Sequence, residues 1–322
     1  MIKKSFLVII LFISNIAFFG QDTTIYKFDF TQKRLPFNLT YTDYVNKPTI
    51  GLVLSGGGSR GLSQVGILKA FEEKNVPFDY IIGTSMGSIV GGMYSSGYSI
   101  KQMDSIVNNI DWNDFFSANE SNRRELFIEQ KITEDKAIFS LRFDGFTPVI
   151  PISIATGQKV ANFLNLLEFN APIHFVNSFD DYLFKYRAIA TDLVYGKTVI
   201  LSNGSLGKAM RASSSISLLL SPVVIDTLLL VDGGLVANVP VNIAKNMGCN
   251  LIIAANATSP LNTREELSYP WNIADQMVSI PMNIITNKHI ENADFLINPD
   301  LENLKNSDFS KIKASISEGY YS

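Results

Sequence analysis

Ser85 stands in Gly83-Thr84-Ser85-Met86-Gly87. This is the G-x-S-x-G spacing in which a tight strand-to-helix turn pushes a serine hydroxyl outward and flanking glycines relieve the crowding. A serine hydroxyl is a weak nucleophile and requires a base. Histidine is the usual one, but His174 and His289 are the only two in the chain, and neither follows a strand signal or a Gly-rich turn. Asp232-Gly233-Gly234 offers another base, directly after the apolar run 227–231. It is expected at the C-terminal end of a buried strand, where ligands gather in open α/β sheets. A second glycine-rich stretch, Ser55-Gly56-Gly57-Gly58-Ser59-Arg60-Gly61, precedes both. Small residues there let backbone N–H groups approach a ligand, at a helix N-terminus that favours negative charge. Gly56, Gly58 and Gly61 also satisfy the dinucleotide spacing G-x-G-x-x-G. A phosphate-binding P-loop is excluded, because Leu62 occupies the lysine position. A dinucleotide fold would place a carboxylate after the second strand, and a serine elbow stands there instead.

These three loops need strands and helices to hold them. Residues 49–54 and 77–82 are short, β-rich apolar runs, as in strands buried on both faces. Helical spacing follows each, over 62–74 and 86–96, the second ended by Gly97. Further along, strands are expected at 186–191, 197–201, 227–231, 250–256 and 295–298. Helices are expected at the start of 100–116 and over 157–169, 206–215, 241–247 and 308–319. Alternation of this kind implies an α/β fold with a mainly parallel sheet. There is no internal repeat and no linker that divides the chain.

Composition narrows the function. The 322 residues are 46% hydrophobic and 18% charged, which supports a large packed core. A net charge of −3 leaves no basic footprint for nucleic acid. One cysteine, Cys249, excludes an internal disulfide framework and a multi-cysteine metal site. Residues 1–20 read as a signal peptide: Lys3 and Lys4 precede an apolar run from Phe6 to Phe19, too short for a membrane span. Its removal leaves 25 basic and 30 acidic residues. Residues 21–47 form a lead-in segment, and 48–322 the main domain. The chain is therefore expected to be exported, to the periplasm, the outer-membrane surface or the medium.

Taken in order, the three loops resemble those of the patatin-like phospholipases. Gly56-Gly57-Gly58-Ser59-Arg60-Gly61 is similar to that family's oxyanion motif, Gly83-Thr84-Ser85-Met86-Gly87 to its nucleophile motif, and Asp232-Gly233-Gly234 to its aspartate motif. Ala190-Thr191-Asp192 and Ala209-Met210-Arg211-Ala212-Ser213 resemble the segments between. The resemblance implies a three-layer α/β/α sandwich with a mainly parallel central sheet. It also implies a Ser–Asp dyad, Ser85 as nucleophile and Asp232 as general base, with Gly56, Gly57 and Gly58 as the oxyanion hole. Acyl-ester hydrolysis on phospholipid, lysophospholipid or neutral glycerolipid follows, at a membrane or micelle surface, with neither metal nor organic cofactor.

Two positions depart from the family pattern. Gln64 stands where many relatives carry histidine, and Ser217 where proline is frequent, in a stretch that shapes the acyl pocket. Secreted bacterial members often continue into an outer-membrane barrel, which enters here only if the chain is a fragment. Arg60 is a candidate for substrate binding, and the aromatic cluster 111–116 for contact with a lipid surface. The rival readings are a non-catalytic lipid- or protein-binding module on the same fold, and an oxidoreductase using the Gly56 loop.

Overall fold

The structure, a computed structural model, describes residues 47–112, 157–216, 219–301 and 304–322, together with four short strands at 32–34, 40–42, 142–144 and 147–149. The chain divides into two compact units, 1–47 and 48–322. In the first, β1 (Gln32–Arg34) pairs antiparallel with β2 (Thr40–Thr42). The expected signal peptide and most of the lead-in segment lie outside the described residues.

The second unit is built on β3 (Ile50–Leu54), whose apolar run is buried throughout except at Ile50. A 3₁₀ turn, Gly58–Leu62, leads into α1 (Ser63–Glu73). β4 (Tyr80–Thr84) starts three residues later than the 77–82 expected and runs up to the serine. Asp79 turns the chain into it, its carboxylate accepting from the Ile50 N–H at 2.8 Å. Next come α2 (Met86–Ser95), α3 (Ile100–Asn109), the antiparallel pair β5 (Arg142–Asp144) and β6 (Thr147–Val149), and α4 (Gln158–Phe169). β7 (Lys185–Asp192), β8 (Lys197–Leu201), α5 (Leu206–Ser213), β9 (Val223–Ile225) and β10 (Leu228–Asp232) follow. The chain continues through α6 (Gly234–Ala237), α7 (Val241–Asn246), β11 (Leu251–Ala255), α8 (Pro270–Ile290), β12 (Phe295–Ile297) and α9 (Ile312–Tyr321).

The main sheet runs β12-β11-β3-β4-β7-β10-β9, with β8 also on β7. The four pairings among β12, β11, β3, β4 and β7 are parallel, and those of β8, β9 and β10 antiparallel. Alternation along each strand sends side chains to two cores. Leu52, Leu54 and Ile81 pack with Val65, Leu68, Val90 and Met93 of α1 and α2 on one face. Val53, Ile82, Ile189 and Ile252 pack with Ala237, Val241 and Ala244 on the other. Helices on both faces give the three-layer α/β/α sandwich that the sequence implies.

Within this mainly parallel sheet, one antiparallel strand bears on the site. β10 does not run parallel to its neighbours. A strand has two edges, and β8 occupies one edge of β7 from Ala188 to Asp192. β4 and β10 therefore share the other edge, β4 pairing up to Thr84 opposite Ile189 and β10 arriving from the far side to end with Asp232 opposite Ala190. The two strands meet head to head on adjacent rungs of one ladder.

Candidate active site

That meeting places the serine and the aspartate together. Ser85 follows β4 directly and caps α2 with φ 52° and ψ −123°. A non-glycine residue rarely occupies this region, and such strain persists only where the surroundings enforce it. Gly83 and Gly87 permit the turn: a Cβ on Gly83 would strike the Gly87 carbonyl, and one on Gly87 the Leu54 carbonyl. Further clamps hold the elbow. The Ser85 N–H donates to Ser213 Oγ at 3.0 Å, and that hydroxyl donates on to the Ile189 carbonyl at 2.5 Å. Ser88 Oγ donates to the Ser85 carbonyl at 2.7 Å.

Ser85 Oγ donates to Asp232 Oδ2 at 2.6 Å, the short range of a hydroxyl on a carboxylate. The other oxygen, Oδ1, accepts from the Gly234 N–H at 2.7 Å. The backbone of Asp232 is fixed by its N–H to the Ser215 carbonyl at 2.9 Å and by Thr191 Oγ1 to its own carbonyl at 2.9 Å. Burial pushes the Asp232 carboxyl up to about 6, against the downward pull of the bonds from Ser85 and Gly234. A carboxylate near 6 is a far better base at neutral pH than one near its usual value.

The glycine loop lies against the elbow, with the Cβ position on Gly56 3.1 Å from Ser85 Cβ. Its three glycines are not equivalent. The Gly56 N–H is taken by the Asn238 carbonyl at 3.2 Å. Gly57 and Gly58 carry φ of 155° and 55°, and neither N–H has a hydrogen-bond partner among the described residues. They are thus the donors left for a ligand, beside the N-terminus of α2. Arg60, a substrate-binding candidate in the sequence, is 7% exposed and turned inward. Its guanidinium donates to the carbonyls of Ala257 at 3.2 Å and Leu304 at 2.9 Å. Ser59 anchors the same loop, its N–H on Asn306 O and its hydroxyl on Lys305 O, both at 2.8 Å.

Other candidates lie elsewhere. His174 is exposed and its Nδ1 bonds the Ala171 carbonyl at 2.7 Å. His289 sits in the last turn of α8. Neither imidazole bonds Ser85 or Asp232. Trp112 of the aromatic cluster is in the core rather than at a surface, stacked on Phe309 at 4.5 Å with Nε1 donating to the Val107 carbonyl. The rest of that cluster, 113–116, and Ser217 lie outside the described residues. Gln64 is buried beneath the glycine loop, its Nε2 donating to the Ser55 carbonyl at 2.9 Å. A cavity of about 430 Å³ between α4 and α5, lined by Gly157, Asn165, Lys208 and Arg211, touches neither Ser85 nor Asp232.

Sequence reasoning missed Ser213 and Asn238. Ser213 was visible inside Ala209–Ser213 but carried no signal of its contact with the elbow. Asn238 is 4% exposed and ties the glycine loop to 257–258, its carbonyl accepting from Gly56 and its Nδ2 donating to Thr258 Oγ1 at 2.7 Å.

Together, the fold and the site define an α/β domain in which an elbow serine is bonded to an aspartate. A family model described as patatin-like phospholipase matches residues 52–245, and the chain belongs to that family. The lysophospholipase NTE1 of Scheffersomyces stipitis is 30% identical over 235 residues, covering 70% of this chain and 13% of the relative. Its counterpart in Candida glabrata is 33% identical over 237 residues, covering 70% and 12%. The chain thus spans about an eighth of the length of these fungal relatives. Among solved structures, VipD from Legionella pneumophila aligns with a TM-score of 0.43 at 14% identity, over 93% of this chain and 70% of that one. Because these curated relatives are fungal, the secreted bacterial type expected from the sequence rests on residues 1–20 alone.

Proposed function

We propose that this chain is an exported lipid acyl hydrolase of phospholipase A or lysophospholipase type, working through a Ser85–Asp232 dyad. The observation that carries the reading is the 2.6 Å bond from Ser85 Oγ to a carboxylate pushed up to about 6. Ser85 Oγ attacks the ester carbonyl carbon while its proton passes to Asp232 Oδ2. The charge formed on the carbonyl oxygen is met by the N–H groups of Gly57 and Gly58, an arrangement typically worth ~10²–10³ in turnover per donor. Collapse breaks the ester C–O bond, Asp232 returns the proton to the departing alcohol, and an acyl-Ser85 remains. Water attacks that acyl group, Asp232 takes its proton and gives it to Ser85, and the fatty acid leaves.

Support for lipid as substrate comes from the family and from the lysophospholipase relatives. Export is proposed from Lys3, Lys4 and the apolar run that follows them. The test is hydrolysis of short- and long-chain fluorogenic esters with fluorophosphonate labelling, for the wild type and Ser85→Ala. Labelling confined to Ser85 and loss of both activities in Ser85→Ala is the expected result. An unlabelled, inactive wild type sinks the reading and leaves a binding module.

The same carboxylate sets a pH profile. Because Asp232 must be ionised to accept the proton, kcat/KM should fall below about pH 6, about tenfold per pH unit, with no histidine limb. A profile unchanged in His174→Ala and His289→Ala but flat from pH 5 to 8 would refute Asp232 as the base.

Arg60 is proposed as a brace of the glycine loop. Arg60→Ala should lower kcat about tenfold and melt several degrees earlier, with KM on a neutral and an anionic substrate equally unaffected. A selective rise in KM for the anionic substrate would instead put its guanidinium on the lipid.

A further inference from the structure

α8 carries an apolar strip on its solvent side. Ile273, Met277, Ile280 and Ile284 fall at helical spacing on one face and are 47%, 70%, 42% and 66% exposed. The opposite side carries Ser279, Met282, Thr286 and His289, flanked by Ile285 and Ile290, all half-buried or buried. In the first turns of α8 two polar side chains hold the preceding loop: Gln276 Oε1 accepts from the Asn262 N–H at 2.9 Å, and Asn272 Nδ2 donates to the Glu266 carbonyl at 2.6 Å. Thus the buried side mixes polar and apolar residues, Ile290 packing on the core, and a separate apolar strip points outward. From Gln276 to Asn287 the helix contains no charged residue.

The strip also has an address. α8 packs on α6, which begins two residues after Asp232. Met282 Sδ lies 3.3 Å from the Cβ position of Gly234, whose N–H holds the Asp232 carboxylate. A second exposed apolar patch, Leu166, Phe169 and Phe175, is placed differently. It neighbours the C-terminal end of α2, where the Ile173 N–H bonds the Ser96 carbonyl, whereas Ser85 caps the other end of that helix.

Extent decides what covers the strip. Twelve helical residues span about 17 Å, so one face of them presents on the order of 200 Å². A stable protein partner buries about 800 Å² on each side, and two copies joined through this strip would fall far short of that. A lipid surface has no such requirement, since an interfacial helix inserts only its apolar face, by roughly 5–10 Å. From these observations we infer that α8 is the element that seats the protein on a lipid surface, beside the Asp232 loop. The inference rests on the lipid hydrolase reading for its choice of partner.

The test uses the full chain, phosphatidylcholine vesicles and a soluble short-chain ester. Met277→Glu/Ile284→Glu should reduce co-sedimentation with vesicles, and hydrolysis of vesicle lipid, at least about tenfold. Soluble-ester turnover and the melting temperature should stay at wild-type values, and Phe175→Glu should change neither readout. Ser85→Ala should still bind vesicles. Retained vesicle binding in the double variant overturns the inference, as does an equal fall in soluble-ester turnover, or a wild-type dimer that the substitutions dissociate. If the wild type binds vesicles through α8 but cleaves neither substrate, the dyad reading fails while this one stands.

Discussion

Asp232→Asn is expected to give a protein that is more stable than the wild type and nearly inactive. An amide side chain keeps the shape of the carboxylate and an oxygen for the Gly234 N–H, but it cannot take the Ser85 proton. Turnover should fall about 10⁴-fold, the scale of a lost general base. The sign of the stability change follows from the raised pKa. A carboxyl that titrates near 6 in the fold and near 3.8 in the unfolded chain favours folding in its neutral form. That contribution is complete below about pH 4 and is lost as pH rises through about 6, so at pH 8 the wild type holds a disfavoured charge. Removing it should stabilise the protein by about 1–3 kcal/mol, read as a rise of several degrees in Tm. The gain should vanish at pH 4, where both side chains are neutral. Equal melting of the two proteins at pH 8 would show that the desolvation reading is mistaken.

Gly57→Ala should cost activity through geometry alone. Gly57 has φ at 155° and an N–H with no hydrogen-bond partner among the described residues, and a Cβ there would strike the Ala257 carbonyl. Either the loop shifts or the residue leaves this conformation, and in both cases the donor moves. The expected loss is ~10²–10³ in kcat with little change in KM, because a developing oxyanion is felt only in the transition state. Gly204→Ala provides the control. Gly204 has φ of 84° and open space around its Cβ position. It should lower stability by about 1 kcal/mol and leave kcat unchanged. If Gly57→Ala retains wild-type kcat, the oxyanion site lies elsewhere.

The parts of the site that are single residues in short motifs were legible in the sequence; the parts that are relations between elements were not. Buried strands announce themselves as continuous apolar runs, so β3, β7 and β11 appear within two residues of their observed limits. β4 begins late because the chain from Pro77 to Asp79 turns into the sheet before it joins it. The direction of β10 has no residue-level signature. It follows from the two-residue turn Asp226-Thr227, with Asp226 at φ 54°, which makes β9 and β10 an antiparallel pair. α8 was missed for a different reason. Its apolar residues are spread over both faces, Pro281 stands in its middle, and its buried side is part polar, so no single core-facing stripe marks it. Likewise the glycine motif marks three residues, while only the bond from Gly56 to Asn238 reveals which two N–H groups remain for a ligand.

The head-to-head meeting of β4 and β10 has a consequence for timing. Ser85 and Asp232 are 147 residues apart in sequence, and the rung that joins them exists only when both strands lie on β7. Chain growth at roughly 5–20 residues per second separates the synthesis of the two by at least about 7 s. Throughout that interval the growing polypeptide carries an elbow serine with no proton acceptor beside it. Closing so long a loop is also among the slower events of folding. Under the proposed dyad, competence to cleave an ester therefore arrives late, with the completed sheet.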